Sequence, residues 1–98
     1  MLKIAVCDDE NLFTEELKEL LSGYMIEKGL VFEIDTYSSG EALVDLGIEI
    51  VQYTAVFLDI NMEKMDGIKT AEMIRKASRE VFIVFVTAYV DYSLEGYQ

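Results

Sequence analysis

Three aspartates provide the side chains of this sequence that are best suited to chemistry. Asp8 and Asp9 follow the apolar segment 2–7, and Asp59 follows a second apolar segment, 53–58. Short apolar segments rich in β-branched and aromatic residues are typical of buried strands. Carboxylates packed side by side resist ionisation unless a cation joins them. If these strand ends meet, the sequence predicts a site for a hard divalent metal with oxygen ligands, and Mg²⁺ is the expected ion.

A hydroxyl group belongs to the same predicted site, because Thr87 follows a further apolar segment, 81–86. An aspartate carboxylate can act as a nucleophile toward phosphorus and form an aspartyl phosphate. Such a transfer depends on charge neutralisation and in-line positioning more than on acid–base catalysis. Mg²⁺ held by Asp9 and Asp59 would neutralise charge, and the Thr87 hydroxyl would donate to a phosphoryl oxygen.

The segments between these strands have the period of amphipathic helices. Residues 10–28 place apolar side chains on one face, and Gly29 follows as a helix stop. The inward positions predicted for this helix are Phe13, Leu17, Leu20, Leu21 and Tyr24. A helix over 68–78 is predicted to face inward through Ile68, Ala71, Ile74 and Ala77. Another helix is expected over 91–98.

Shorter elements complete the pattern. Residues 31–37 alternate only partly between apolar and polar types, which is typical of a strand near a sheet edge. The Ser-Ser-Gly turn at 38–40 provides a cap for a short helix over 41–49, and Asp66 is expected to act as a turn or cap residue. The order βαβαβαβα with short connections predicts an open parallel sheet wrapped by helices. Because parallel strands share one carboxyl edge, the aspartates and Thr87 should converge there.

Composition narrows the class of protein. The 98 residues make one small domain, and the formal net charge of −11 disfavours direct binding to nucleic acid or to an anionic membrane. No signal-peptide pattern or membrane-spanning apolar segment is present. The single cysteine, Cys7, lies within the first apolar segment, where it is expected to be a buried side chain in a reducing compartment. The sequence therefore favours a cytoplasmic protein.

Four motifs in order resemble the receiver domain of bacterial two-component response regulators. They are Asp-Asp-Glu at 8–10, Phe-Leu-Asp-Ile-Asn-Met at 57–62, Met-Asp-Gly at 65–67 and Thr-Ala-Tyr at 87–89. The resemblance covers the whole chain. Residues 85–95 are most similar to receivers of LytTR-type regulators, which carry a separate C-terminal DNA-binding domain. The resemblance implies a flavodoxin-like sheet in the order 2-1-3-4-5 with helices on both faces.

Residue roles follow from this resemblance. Asp59 would accept a phosphoryl group from a phosphohistidine on a sensor histidine kinase. Mg²⁺ would be held by Asp9, Asp59 and the backbone carbonyl of Asn61, with Asp8 acting through water. Thr87 would be the hydroxyl that moves toward the phosphoryl group and switches the output domain. Such a protein promotes its own phosphorylation and is not a turnover enzyme.

The sequence departs from the receiver pattern in two places. Glu63 stands where proline often follows the methionine of the loop. Receivers also continue through a fifth strand, which carries a lysine that pairs with the phosphoryl group, and a fifth helix. No lysine here ends a strand at the predicted site, so we expect residues 1–98 to be a truncated receiver and a poor phosphoacceptor. Its fourth strand would then form an apolar edge that pairs with another chain, giving a homodimer or an aggregate.

Two other classes of function stay open. Phosphatases with an aspartate nucleophile, like those of the haloacid dehalogenase group, have Asp-x-Asp after the nucleophile strand, whereas residues 59–61 are Asp-Ile-Asn. A phosphorylation-independent interaction module on a receiver scaffold is the second alternative. The absent lysine is compatible with such a module, while the acidic residues and Thr87 argue against it.

Overall fold

The structure is a computed structural model that describes residues 1–86 of the chain. Strands and helices alternate along it, as predicted: β1 (Leu2–Cys7), α1 (Asn11–Glu27), β2 (Phe32–Tyr37), α2 (Gly40–Val44), a 3-10 helix (Gly47–Gln52), β3 (Ala55–Asp59), α3 (Gly67–Ala77) and β4 (Phe82–Val86). Thr87 and the helix predicted over 91–98 lie outside the described residues. Within residues 1–86, no helix combines the length and the apolar character needed to cross a bilayer.

The four strands form one parallel sheet in the order β2-β1-β3-β4. This confirms the predicted order and the place of β2 at an edge. Cys7 pairs with Leu58, and Asp59 pairs with Val86. The carboxyl ends of β1 and β3 therefore lie side by side, one residue away from Asp8.

Helices cover both faces of the sheet, as predicted. Alternate residues of β1 point to opposite faces, so each strand contributes to two cores. On one face, the buried side chains of β1 and β3 pack against α2, the 3-10 helix and α3 through Leu43, Ile50 and Ile74. On the other face, Ile4 and Val6 pack against α1.

The inward face of α1 differs from the predicted one. Thr14 and Met25 are buried, whereas Leu20 and Tyr24, both predicted to face inward, are 72% and 57% exposed. Leu17 and Leu21, which were also predicted to face inward, pack against the core. The hydroxyl of Thr14 donates to the Glu10 carbonyl at 3.1 Å, which removes most of the cost of burying it. The apolar pattern alone therefore placed the face too far toward Leu20 and Tyr24.

The helix predicted over 41–49 is instead two shorter helices, α2 and the 3-10 helix. Gly47 is the first residue of the 3-10 helix and has a φ of 58°, in the left-handed region that interrupts a right-handed helix. Ser39 caps α2 by accepting the Ala42 N–H at 3.1 Å, as the serine turn predicted. The next strand begins at Ala55, so the predicted start at Tyr53 was wrong. Tyr53 is a buried core residue that precedes β3.

The prediction that Ile68 faces inward at the start of α3 was wrong. Ile74 is buried, but Ile68 is 48% exposed, and the inward positions of the first turn are occupied by Gly67 and Thr70. A Cβ at Gly67 would lie 2.2 Å from the Asp59 carbonyl oxygen, so only glycine allows this approach. A small residue at this position brings the helix start onto the backbone that carries Asp59.

Candidate metal centre

Three carboxylates meet at the carboxyl edge of the sheet. One oxygen from each of Asp8, Asp9 and Asp59 lies within 4.8 Å of the others. Asp8 and Asp59 are buried, while Asp9 is exposed. The parallel register of β1 and β3 produces this convergence, as the sequence predicted. Their binding of Mg²⁺ stays a prediction.

Asp8 is held by the first turn that follows β1. Its Oδ1 accepts the Glu10 N–H at 2.9 Å, and its own N–H donates to the Tyr37 carbonyl at 3.1 Å. The pKa of Asp8 is raised from 3.8 to about 6, mainly by burial; the Glu10 hydrogen bond lowers it, and the nearby charges of Asp59 and Asp9 raise it. An ionised Asp8 is therefore costly in this site unless a cation is present.

Asp59 is the last residue of β3 and is similarly buried. Its Oδ1 accepts the Asn61 N–H at 3.3 Å. Burial raises the pKa of Asp59, the Asn61 hydrogen bond lowers it, and the charge of Asp9 raises it. Negative charge at Asp59 thus also favours a cation beside it.

Asp9 is held by the loop that follows β3. Its Oδ2 accepts the backbone N–H of Glu63 at 3.1 Å, which joins the loop after β1 to the loop after β3. Sequence reasoning missed this role of Glu63. The only sequence signal for a backbone donor is a residue other than proline, which is too weak to identify a site.

The backbone carbonyl of Asn61 was predicted to bind the metal. Asn61 lies in the loop after β3, two residues beyond Asp59, and is exposed. A cavity of about 150 Å³ adjoins the site, between 38–41 and 62–65, and Asp9 lines it. Lys64 also lines this cavity, so a basic residue lies near the acidic cluster.

Cys7 lies at the end of β1, just before the aspartates. Its Sγ contacts the Ser39 carbonyl oxygen at 3.3 Å and the Met62 sulfur at 3.8 Å. Burial raises the pKa of the Cys7 thiol to about 12, and the neighbouring carboxylates contribute. The thiol is therefore protonated near neutral pH and packs as a small apolar side chain, as the sequence indicated.

Comparison with known families shows which family the chain belongs to. The family model described as "Response regulator receiver domain" matches residues 4–96. The chain belongs to the response regulator receiver family. Response regulator receivers are signalling modules. The resemblance found in the four motifs is confirmed.

The receiver is similar to several curated regulators. It is 33% identical over 100 residues to the sensory transduction protein LytT of Bacillus cereus, a match that covers all of this chain and 38% of that protein. It is 28% identical to the transcriptional regulatory protein YpdB of Escherichia coli K12, over 99% of this chain and 38% of that protein. The chain thus spans about 38% of the length of these relatives. The similarity to LytT fits the predicted LytTR-type receiver.

Solved receivers share this fold. The N-terminal domain of a response regulator from Carboxydothermus hydrogenoformans superposes with a TM-score of 0.75 and 26% identity, over 90% of this chain and 66% of that one. The receiver domain of the Arabidopsis thaliana histidine kinase CKI1, solved with Mg²⁺ and BeF₃⁻, superposes with a TM-score of 0.68 at 20% identity. This match covers 99% of this chain and 74% of that one. At that identity the second likeness shows the fold alone.

Proposed function

We propose that this receiver accepts a phosphoryl group on Asp59, with Mg²⁺, from a sensor histidine kinase. The observation that carries the proposal is the cluster of Asp8, Asp9 and Asp59 oxygens within 4.8 Å of one another. The cluster lies at the carboxyl edge of the parallel sheet, where α/β proteins of this type bind ligands. Asp59 is the best candidate for the acceptor because it ends the central strand β3.

The donor set fits Mg²⁺. Asp9, Asp59 and the Asn61 backbone carbonyl would hold the ion, with Asp8 acting through water, and all of these donors are hard oxygen atoms. The raised pKa values of Asp8 and Asp59 support a cation here, because both carboxylates are buried beside like charge. Mg²⁺, when bound, would neutralise charge on the transferring phosphoryl group. The CKI1 receiver and a CheY of Borrelia burgdorferi, which share this fold, were solved with the ion.

Each group of the chain then has a role in the transfer. A carboxylate oxygen of Asp59 forms a bond to phosphorus as the bond from phosphorus to the donor histidine nitrogen breaks, and the electron pair returns to that nitrogen. Asp9 would stay ionised and would hold Mg²⁺ directly, and an ionised Asp8 would hold it through water. Residues 1–98 contain no histidine, which fits a recipient that needs a separate phosphohistidine donor. Thr87 would then move toward the phosphoryl group as the switch residue.

The output belongs to the same proposal. Residues 1–98 would form one receiver domain of a longer regulator, followed by a DNA-binding domain of LytTR type. The length of the curated relatives and the printed name of YpdB, a transcriptional regulatory protein, support this. The net charge of −11 disfavours DNA contact by the receiver itself. A cytoplasmic location, expected from the free thiol of Cys7, completes the proposal.

Intact-mass measurement after treatment with Mg²⁺ and acetyl phosphate tests the acceptor. The full-length protein should gain one phosphoryl group, with acetate as the leaving group. Asp59→Asn should gain none, whereas Asp45→Asn, which changes an exposed aspartate outside the cluster, should behave as the parent does. If Asp59→Asn still gains the phosphoryl group, the acceptor is misassigned. Steady release of phosphate over many turnovers would favour the phosphatase, and an unmodified parent would favour the phosphorylation-independent module.

A further inference from the structure

The loop between β3 and α3, residues 60–66, is anchored beside the acidic cluster at several points. Its end is closed by the Gly67 N–H, which donates to the Ile60 carbonyl at 2.9 Å. Asp66 caps α3 by accepting the Lys69 N–H at 2.8 Å. Met62 is buried against the Cys7 sulfur. The path of the loop past the site is therefore fixed by packing and backbone bonds and not by the site itself.

Two backbone contacts join this anchored loop to the acidic cluster. The Asn61 N–H donates to Asp59 Oδ1 at 3.3 Å. The Glu63 backbone N–H donates to Asp9 Oδ2 at 3.1 Å. Asp9 is the exposed member of the cluster, and it lies beside the two buried carboxylates of Asp8 and Asp59. Repulsion from those charges and rotamer freedom both favour Asp9 turning toward solvent. The Glu63 amide opposes this motion, because it offers a partial positive charge at a fixed position.

We infer that the backbone amide of Glu63 is the positioning donor for Asp9, and that it sets the affinity of the site for Mg²⁺. The inference rests on the proposed function for the identity of the ion. A carboxylate has about four lone-pair directions, so Asp9 can keep this bond while its remaining positions face the metal. Glu63 acts through its main chain, and any residue except proline would supply the same donor.

The decisive comparison is therefore between Glu63→Pro and Glu63→Ala. Both variants lose the carboxylate of Glu63, and only the proline variant loses the N–H. Calorimetric titration with MgCl₂ should show about three- to tenfold weaker binding for Glu63→Pro than for Glu63→Ala, the range expected for the net contribution of one typical hydrogen bond. Equal affinities in the two folded variants would overturn the inference.

A second measurement needs no metal and no proline. In the metal-free protein, the Glu63 amide should exchange its hydrogen at least about tenfold faster in Asp9→Ala than in the parent, because its acceptor is gone. Asp45→Asn should leave that exchange rate unchanged. An exchange rate that does not respond to Asp9→Ala contradicts the inference, even if Glu63→Pro fails to fold.

These results separate the inference from the function on which it rests. If Asp59→Ala binds Mg²⁺ as tightly as the parent, the metal site is wrong, whatever the Glu63 amide does. If Asp59→Ala abolishes binding and the Glu63 amide is indifferent to Asp9, the site is right and this positioning role is wrong.

Discussion

At the scale of single residues, the buried carboxylate of Asp8 makes the metal-free site unfavourable at neutral pH. The pKa of Asp8 rises from 3.8 in its ordinary state to about 6 in the fold. Between these two values the folded protein binds more protons than the unfolded chain does. The stability of the metal-free protein should therefore fall as pH rises through this window, and the loss is complete above about pH 6.

Replacing Asp8 by asparagine should remove this cost. The amide oxygen of Asp8→Asn can still accept the Glu10 N–H, and the side chain carries no charge. We expect the metal-free variant to be more stable than the parent by about 1–3 kcal/mol near pH 7, and by much less near pH 4. Urea unfolding in the presence of a chelator measures both values. A variant that is less stable than the parent near pH 7 would show that Asp8 is not strained by its charge.

Mg²⁺ should reverse the order of these two proteins. Saturating Mg²⁺ binds the folded state and stabilises the parent by mass action, while Asp8→Asn has one carboxylate fewer to attract it. The shift in thermal midpoint caused by Mg²⁺ should therefore be larger for the parent than for Asp8→Asn. The control is Asp45→Asn, whose shift should match that of the parent. Equal shifts in the parent and Asp8→Asn would argue that Asp8 takes no part in the site.

The sequence was sufficient to predict the convergence of Asp8, Asp9 and Asp59, because strand ends and parallel order follow from apolar periodicity. It was not sufficient for the contact between Glu63 and Asp9. That contact is made by a main-chain N–H, which every residue except proline carries. Side-chain patterns therefore contain almost no information about it.

At the scale of elements, the start of α3 decides how closely the helix approaches the site. Gly67 packs against the backbone of Asp59, and a Cβ would lie 2.2 Å from the carbonyl oxygen and 2.9 Å from the carbonyl carbon of that residue. These are main-chain atoms, so the contact cannot be relieved by a side-chain rotation. Any added methyl group must displace α3 or the end of β3.

Gly67→Ala should therefore destabilise the protein by about 1–3 kcal/mol or more and should weaken Mg²⁺ binding as Asp59 moves. Gly23→Ala is the matched control, because nothing lies within 4 Å of a Cβ built at that helical glycine. The control should stabilise the protein by up to about 1 kcal/mol. Urea unfolding and a MgCl₂ titration of both variants check this pair. A Gly67→Ala protein as stable as the parent contradicts the close packing.

The elements also show where apolar pattern and structure diverge. Of the inward positions predicted for α1, Leu17 and Leu21 pack against the core, whereas Leu20 and Tyr24 are exposed. The buried positions also include Thr14, which an apolar pattern omits although its hydroxyl is satisfied within the helix. The helix predicted over 41–49 is interrupted near Gly47, whose left-handed backbone conformation cannot be predicted from composition alone. The bounds of β1 and β4 were predicted to within one residue, since their apolar segments are continuous.

At the scale of the whole molecule, the described sheet has an apolar border at β4. Within residues 1–86, β4 pairs with β3 on one side, and its Phe82 and Phe85 side chains are 69% and 43% exposed. Exposed apolar edge strands tend to pair with other chains. This is the feature on which the predicted homodimer depends.

The 98-residue chain should therefore associate as its concentration rises, and Phe82→Lys should reduce this association by placing charge on the border strand. Light scattering over a concentration series measures the effect. Ile26→Lys, which changes a similarly exposed apolar residue on α1, is the control and should associate as the parent does. A monomer at every concentration would show that β4 is not an association surface.

Phosphorylation of Asp59 is best tested by chemical trapping of the acyl phosphate. The full-length protein is treated with acetyl phosphate and Mg²⁺, the acyl phosphate is reduced with borohydride, and the peptides are sequenced by mass spectrometry. We expect homoserine at position 59 and unmodified Asp8 and Asp9. Chelation of Mg²⁺ should abolish the homoserine product. Reduction at another aspartate, or at position 59 to the same extent without Mg²⁺, would contradict this assignment.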